Sequence, residues 1–155
     1  IIFLCSPNNP SANLIKKKDI EEILKKANCY VLVDEAYIEY SKPGSSPVDL
    51  FKKYKNLIIT RTFSKVYGLA NLRIGYGIMS EDLVKDYEKT NLPFFTSSLA
   101  FKAAKTAMED QRYTKKVVKL NKKGREYIEK NIKFKAYPSQ SNFVLVDVFP
   151  QKAQR

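Results

Sequence analysis

Tyr30-Val31-Leu32-Val33-Asp34-Glu35-Ala36-Tyr37 opens as a β-branched apolar run and closes on two carboxylates and a phenol. The run Tyr30 to Val33 is short, rich in β-branched and aromatic side chains and bounded by turn formers, which predicts a buried strand. Four other stretches share this character: Ile1 to Cys5, Leu57 to Thr60, Ile74 to Met79 and Phe143 to Val148. Between the first strand and the second, Lys16 to Asn28 places Ile20, Ile23, Leu24 and Ala27 on one helical face. The result is a β-α-β unit. Strands alternating with helices predict an α/β fold, a mostly parallel sheet covered by helices.

Further along, Ser80 is placed to cap a helix carrying Leu83, Val84 and Tyr87. Ser97 or Ser98 caps another, with Leu99, Ala100, Ala103, Ala104, Ala107 and Met108. Arg112 to Asn131 repeats apolar residues at Val117, Leu120, Tyr127 and Ile128, with Gly124 as a close-packing point or local break. The stretch from Ser41 to Pro47 has turn chemistry and no apolar period, so it reads as an exposed, mobile loop. The expected organisation is residues 1–110 as part of a large domain and 111–155 as the start of a small C-terminal α/β domain. There is no internal repeat.

The 155 residues, 44% hydrophobic and 28% charged, suit an ordinary soluble domain. No transmembrane candidate and no secretory leader is visible, and a start on Ile1 suggests a fragment of a longer chain. Two cysteines in apolar settings, Cys5 and Cys29, read as reduced, buried thiols of a cytoplasmic protein. The absence of histidine excludes Ser-His and Cys-His nucleophiles and His-ligated metals within these residues. A net charge of +12 raises nucleic acid as a partner. The lysines are nevertheless spread along predicted helices, at Lys16, Lys17, Lys18, Lys25 and Lys26 and again at Lys115, Lys116, Lys119, Lys122 and Lys123. They read as solvated faces, which leaves neither nucleic acid nor membrane as an expected partner.

In open α/β sheets ligands bind beyond the carboxyl ends of the strands. There the sequence puts Ser6-Pro7-Asn8-Asn9-Pro10, Asp34-Glu35-Ala36-Tyr37 and Arg61-Thr62-Phe63-Ser64-Lys65, followed by Gly68-Leu69-Ala70-Asn71-Leu72-Arg73. Any one of these has an ordinary reading as a turn, a cap or a solvated lysine. Together and in this order they resemble the fold-type-I pyridoxal-phosphate enzymes, in particular the aminotransferase class I/II family. The resemblance implies pyridoxal 5'-phosphate as cofactor, Lys65 as the catalytic Schiff-base lysine, and Asp34 as the carboxylate paired with the pyridine nitrogen. It also implies Asn9 and Tyr37 as donors to the phenolic oxygen, and Arg73, Thr62 and, more weakly, Ser64 as the phosphate grip. By strand alternation Glu35 faces away from Asp34, and Arg61 away from Thr62, so both are expected to be structural or salt-bridged. Tyr40 is expected to pack.

Within that family the strings Ser6 to Pro10, Val33 to Tyr40, Arg61 to Lys65 and Tyr137 to Phe143 look most like histidinol-phosphate aminotransferases. The expected substrates are then a small-molecule amino donor, histidinol phosphate, and a 2-oxo acid, in a homodimer. Another class I/II aminotransferase or a threonine-phosphate decarboxylase shares the same cofactor residues and is the alternative. A binding module on a dead scaffold has no need of Lys65, Asp34, Tyr37 and Arg73 together. The family's phosphate loop and ring-stacking aromatic are expected upstream of Ile1, and its carboxylate-binding arginine downstream of Arg155. The chain departs from the family at Ser11-Ala12, where Thr-Gly is usual, at Asn71, where Gly is common, and at Phe95, where Asn is frequent. Asn71 tolerates a left-handed conformation, so the turn before Arg73 is expected there.

Overall fold

A computed structural model describes residues 1–149. Strands β1 (Ile2–Cys5), β2 (Val31–Asp34), β3 (Leu57–Thr62) and β4 (Gly75–Ile78) form one sheet in that order. The first three are parallel and β4 runs antiparallel to β3. Helix α1 (Lys17–Lys26) makes the crossover from β1 to β2. Its Ile20 and Leu24 pack on Val31, Val33, Leu57 and Ile59, closed from the other side by Leu50 of the 3-10 segment Val48–Lys52. Burying side chains of this size contributes about 1.5–3 kcal/mol each, and they make up the larger core.

Helices α2 (Glu81–Thr90), α3 (Ser98–Glu109) and α4 (Gln111–Asn131) follow, and then a small hairpin of β5 (Lys135–Ala136) and β6 (Val146–Asp147). Ser97 caps α3 by accepting from the Ala100 N–H, whereas the Ser80 side chain makes no cap bond. The expected strand Phe143 to Val148 shortens to β6, with one further backbone bond from the Tyr137 N–H to the Leu145 carbonyl at 2.8 Å and the Phe143 carbonyl taken by the Ser139 hydroxyl. The expected apolar faces of the helices are only partly used. Val117 and Val118 of α4 pack against Tyr37, Tyr40 and Val66, while Leu120 and Tyr127 stand in solvent. On α3 only Ala100 and Ala104 are buried, with Leu99 and Met108 exposed. Val84 and Tyr87 of α2 are exposed as well. Periodicity marks an apolar face without saying whether the same chain covers it.

Cys29 is exposed, contrary to expectation, because it sits in the turn between α1 and β2; Cys5 is half-buried. The lysines of α4 are exposed as expected. Among the described residues no helix is long and apolar enough to cross a membrane. The loop after Tyr40 is exposed only over residues 42–44. Its ends are pinned, with the Ser41 hydroxyl donating to the Gln140 carbonyl at 3.0 Å and the Ser46 hydroxyl accepting from the Arg61 guanidinium at 3.1 Å. Turn composition alone does not reveal such long-range anchors.

Glu35 is fully buried and Arg61 reaches it with Nε at 2.8 Å and Nη2 at 2.7 Å, both on Oε2. Among the described residues Oε1 of Glu35 and Oε1 of Glu39 have no hydrogen-bond partner. Burial holds the Arg61 pKa down, but the bonds that Arg61 donates to Tyr76 and Glu35, with the Glu35 charge, outweigh it and leave the pKa raised. For Glu39, burial is the largest influence and, with the Glu35 charge, lifts its pKa above the ordinary 4.5.

Removing Arg61 leaves a buried carboxylate uncompensated, so Arg61→Leu is expected to lower the unfolding free energy by about 3–5 kcal/mol. Denaturant titration measures it, and Glu35→Leu in the same background should recover most of the loss. Glu39 makes stability depend on pH. Its folded pKa is raised, so its stabilising contribution is complete below pH 4.5 and is lost as pH rises through the folded value. Glu39→Gln is therefore expected to gain stability relative to the parent at pH 7, and to lose that advantage at pH 4 in parallel denaturation curves.

Candidate active site

Because β1, β2 and β3 are parallel, their carboxyl ends open on the same side of the sheet. Their backbone pairing continues past the last strand residues, from the Ser6 N–H to the Asp34 carbonyl at 3.0 Å and from the Glu35 N–H to the Thr60 carbonyl at 2.8 Å. The loops carrying Asn9, Tyr37 and Lys65 therefore start from one level.

After β1 the chain folds into a tight loop, with the Ala12 N–H donating to Asn8 O at 2.7 Å and the Ile15 N–H to Ser6 Oγ at 3.0 Å. Ala12 is buried at φ 55°, a left-handed conformation that glycine adopts without cost. A left-handed position of this kind is one where glycine, usual there in the resemblance, would sit without cost, and here the alanine bears the strain.

Asp34 closes β2 directly opposite Thr60 of β3. Its Oδ1 accepts from the Thr60 hydroxyl at 3.3 Å and from the Ala36 N–H at 3.2 Å. No described residue engages Oδ2, which leaves it for a ligand. Glu35 and Arg61 point to the other side and pair with each other, as alternation predicts.

Tyr37 is buried, and its hydroxyl accepts from Asn9 Nδ2 at 3.3 Å, which leaves the phenolic proton to be donated onward. The Lys65 Nζ lies 5.3 Å from the centre of the Tyr37 ring, within cation-π reach. Phe143 meets the same ring edge to face, at 5.2 Å and 85°. Tyr40 is buried beside them, a packing residue as expected.

The segment from Phe63 to Arg73 is wound on itself. Leu69 N–H donates to Phe63 O at 2.9 Å and Gly68 N–H to Lys65 O at 3.0 Å. Buried Phe63 and Val66 anchor it and leave Lys65 exposed between them. Gly68 has φ 70°, and a Cβ there would lie 3.0 Å from the Tyr113 hydroxyl, so both conformation and space call for glycine. Gly75, opposite Thr62, lets β4 approach, since a Cβ would stand 2.5 Å from the Arg61 carbonyl.

The left-handed residue of this turn is Arg73 itself, at φ 49°, not Asn71, which lies in the 3-10 turn Ala70–Leu72. Local sequence shows that a strained residue is needed but not which one takes the strain. Arg73 is exposed and its Nη1 donates to Ala70 O at 2.8 Å. Thr62 Oγ1 accepts from the Ser64 N–H at 3.0 Å and keeps its own proton for donation.

Direct contacts thus bring Asn9, Tyr37 and Lys65 together. Asp34 stands at the same strand level, while Thr62 at the end of β3 and Ser64 and Arg73 in the segment that carries Lys65 have no side-chain hydrogen bond to that trio among the described residues. Two neighbours escaped the sequence reading. Thr60 was findable, since a parallel register opposite Asp34 puts a hydroxyl beside the carboxylate. Phe143 was not, because no local signal brings residue 143 onto residue 37.

The family pattern described as aminotransferase class I and II matches residues 1–155. The chain is 50% identical over 154 residues to a histidinol-phosphate aminotransferase of Methanosarcina barkeri, an alignment covering 99% of this chain and 42% of that protein. A crystal structure of histidinol-phosphate aminotransferase from Sinorhizobium meliloti in complex with pyridoxal-5'-phosphate superposes with a TM-score of 0.88 at 29% identity, over 95% of this chain and 42% of that one. The L-threonine-O-3-phosphate decarboxylase of Porphyromonas gingivalis gives 0.76 at 26% identity, over 90% and 44%. The chain spans well under half the length of these relatives. Its strand order, its loops and its match from end to end make it a member of the aminotransferase class I and II family.

Proposed function

We propose that the protein containing this chain is a pyridoxal-phosphate-dependent aminotransferase that moves an amino group between histidinol phosphate and a 2-oxo acid, with 2-oxoglutarate and glutamate as the partner pair. The observation that carries this reading is the joining of Asn9, Tyr37 and Lys65 by direct contacts beside a carboxylate, Asp34, with one oxygen free. The choice of substrate is supported by the 50% identical relative named for histidinol phosphate.

The donor set fits the cofactor. A lysine amine, a carboxylate, two hydrogen-bond donors and a guanidinium are what an aldehyde, a pyridine nitrogen, a phenolic oxygen and a phosphate call for. When bound, pyridoxal phosphate supplies an electron sink for the charge left as a proton departs from the substrate carbon bearing nitrogen. The Lys65 Nζ would take that proton from the substrate carbon and return it to the carbon on the cofactor side of the same nitrogen. Asp34 Oδ2 holds a proton on the ring nitrogen, and the bonds from Thr60 and Ala36 to Oδ1 keep the carboxylate aimed. The Tyr37 hydroxyl donates to the phenolic oxygen, oriented by the bond it receives from Asn9. Arg73 and the Thr62 and Ser64 hydroxyls hold the phosphate, a task that suits a guanidinium fork.

In the same reading residues 1–110 belong to the cofactor-binding domain and 111–155 begin a smaller one, of which 150–155 lie outside the described residues. The enzyme works as a homodimer, a reading supported by the exposed apolar side chains of Leu92, Phe94, Phe95, Leu99 and Phe101. A threonine-phosphate decarboxylase is the second reading, favoured by the likeness to that enzyme's fold and by cofactor residues that both reactions use.

Incubation of the complete protein with histidinol phosphate, 2-oxoglutarate and cofactor is expected to yield glutamate, and Lys65→Arg to abolish it. After borohydride reduction, peptide mass mapping should find the phosphopyridoxyl mass on Lys65; carbon dioxide release from threonine phosphate without glutamate would select the decarboxylase instead. A division of labour follows within the site. Asp34→Ala is expected to lose turnover while retaining cofactor. Arg73→Ala should weaken cofactor binding by about 1.5–3 kcal/mol and be rescued by excess cofactor, as equilibrium dialysis beside turnover will show.

A further inference from the structure

Residues 139–143 cross between parts of the chain that are distant in sequence. The Gln140 N–H donates to the Ala12 carbonyl at 2.8 Å, in the loop after β1. The Gln140 carbonyl accepts from Ser41 Oγ at 3.0 Å, in the loop after β2. Arg125 of α4 donates to the Ser141 carbonyl. Inside this crossing the buried Ser139 hydroxyl accepts from the Ser141 N–H at 3.1 Å and donates to the Phe143 carbonyl at 2.5 Å. The chain leading into Phe143 is therefore held at Gln140 and Ser141, and Phe143 itself through its carbonyl, and its ring meets Tyr37 edge to face at 5.2 Å. Tyr37 also lies in a cluster with Tyr40, Val66, Val117 and Val118, but among the described residues Phe143 is the one that meets its ring as an aromatic pair, while the Asn9 bond is long, at 3.3 Å, and Lys65 reaches it on a flexible stem.

We infer that Phe143 is a positioning residue of the active site, which fixes the Tyr37 ring so that its hydroxyl is aimed when the cofactor arrives. An edge-to-face pair has a preferred geometry that an aliphatic side chain of similar volume does not impose. The ring of Phe143 touches no ligand in this scheme and acts only through Tyr37. This rests on the reading of Tyr37 as a donor to the cofactor's phenolic oxygen. Such a donor favours the anionic oxygen and lowers the pH midpoint of the bound cofactor's absorbance change.

The test uses the complete protein with four variants: Phe143→Leu, Phe143→Tyr, Tyr37→Phe and the double Tyr37→Phe/Phe143→Leu. Tyr37→Phe should raise the absorbance midpoint, and Phe143→Leu should raise it by a smaller amount while lowering kcat about 2–10-fold, the population change expected from losing an aromatic pair. Phe143→Tyr keeps the ring and should retain the parental midpoint. The double variant should match Tyr37→Phe alone, because Phe143 has nothing left to act through. A second readout needs no cofactor. With 3-fluorotyrosine at position 37, the fluorine resonance of the cofactor-free protein should be single and narrow in the parent and in Phe143→Tyr, and broadened or split in Phe143→Leu. If Tyr37→Phe leaves the midpoint unchanged, the donor reading of Tyr37 fails, whatever Phe143 does. If Tyr37→Phe shifts it but Phe143→Leu changes neither midpoint nor fluorine signal, or if the double variant shows the sum of both effects, the positioning role is overturned.

Discussion

Glu35 carries a charge into the interior, and Arg61 from the neighbouring strand is what makes that charge tolerable. An ion pair of this kind adds little net stability compared with two apolar side chains, since both groups lose their hydration. Its effect is on register. Sliding β3 by one residue past β2 would turn Arg61 to the opposite face and leave Glu35 alone in the core. The register so protected is the one in which Asp34 stands opposite Thr60, and in which the loops after β1, β2 and β3 start from one level.

The two faces at the end of β2 thus divide the work. Glu35 on one side ties the strands together, and Asp34 on the other has only its Oδ1 engaged among the described residues. Proteins that bind a cofactor at strand ends need both properties at once, because groups that recognise a ligand must not be consumed by the fold. Arg61 and Arg73 show the same division. The first is half-buried, bonded to Glu35, Tyr76 and Ser46, while the second is exposed and makes one bond, to Ala70.

Two of the three described non-glycine residues with positive φ, Ala12 and Arg73, lie beside this site, and the third, Phe94, lies between α2 and α3. Ala12, Gly68 and Arg73 all have positive φ, and all lie in the loops that leave or follow the parallel strands. Left-handed residues let a chain reverse in few residues, which brings backbone and side chains back over the strand ends. Only one of the three is glycine, so the surroundings must hold the other two in place. For Ala12 they do so through its N–H to Asn8, its carbonyl to Gln140 and its buried methyl.

The four strands of the sheet, α1 and the placement of Asn9, Asp34, Tyr37, Thr62, Ser64 and Lys65 at strand ends or just beyond were legible in the sequence, because they follow from local periodicity and from the alternation of side chains along a strand. The opposite orientation of Asp34 and Glu35 was legible for the same reason. What local pattern could not supply is anything that depends on which distant segment arrives. The exposure of Leu120 and Tyr127, the pinning of Ser41 and Ser46, the left-handed conformation of Arg73 in place of Asn71, and the contact of Phe143 with Tyr37 were decided by tertiary structure. Sequence by itself determined which residues a helix or strand would turn to one side; only the assembled fold determined what, if anything, would be there to meet them, because such contacts join residues that no local periodicity relates.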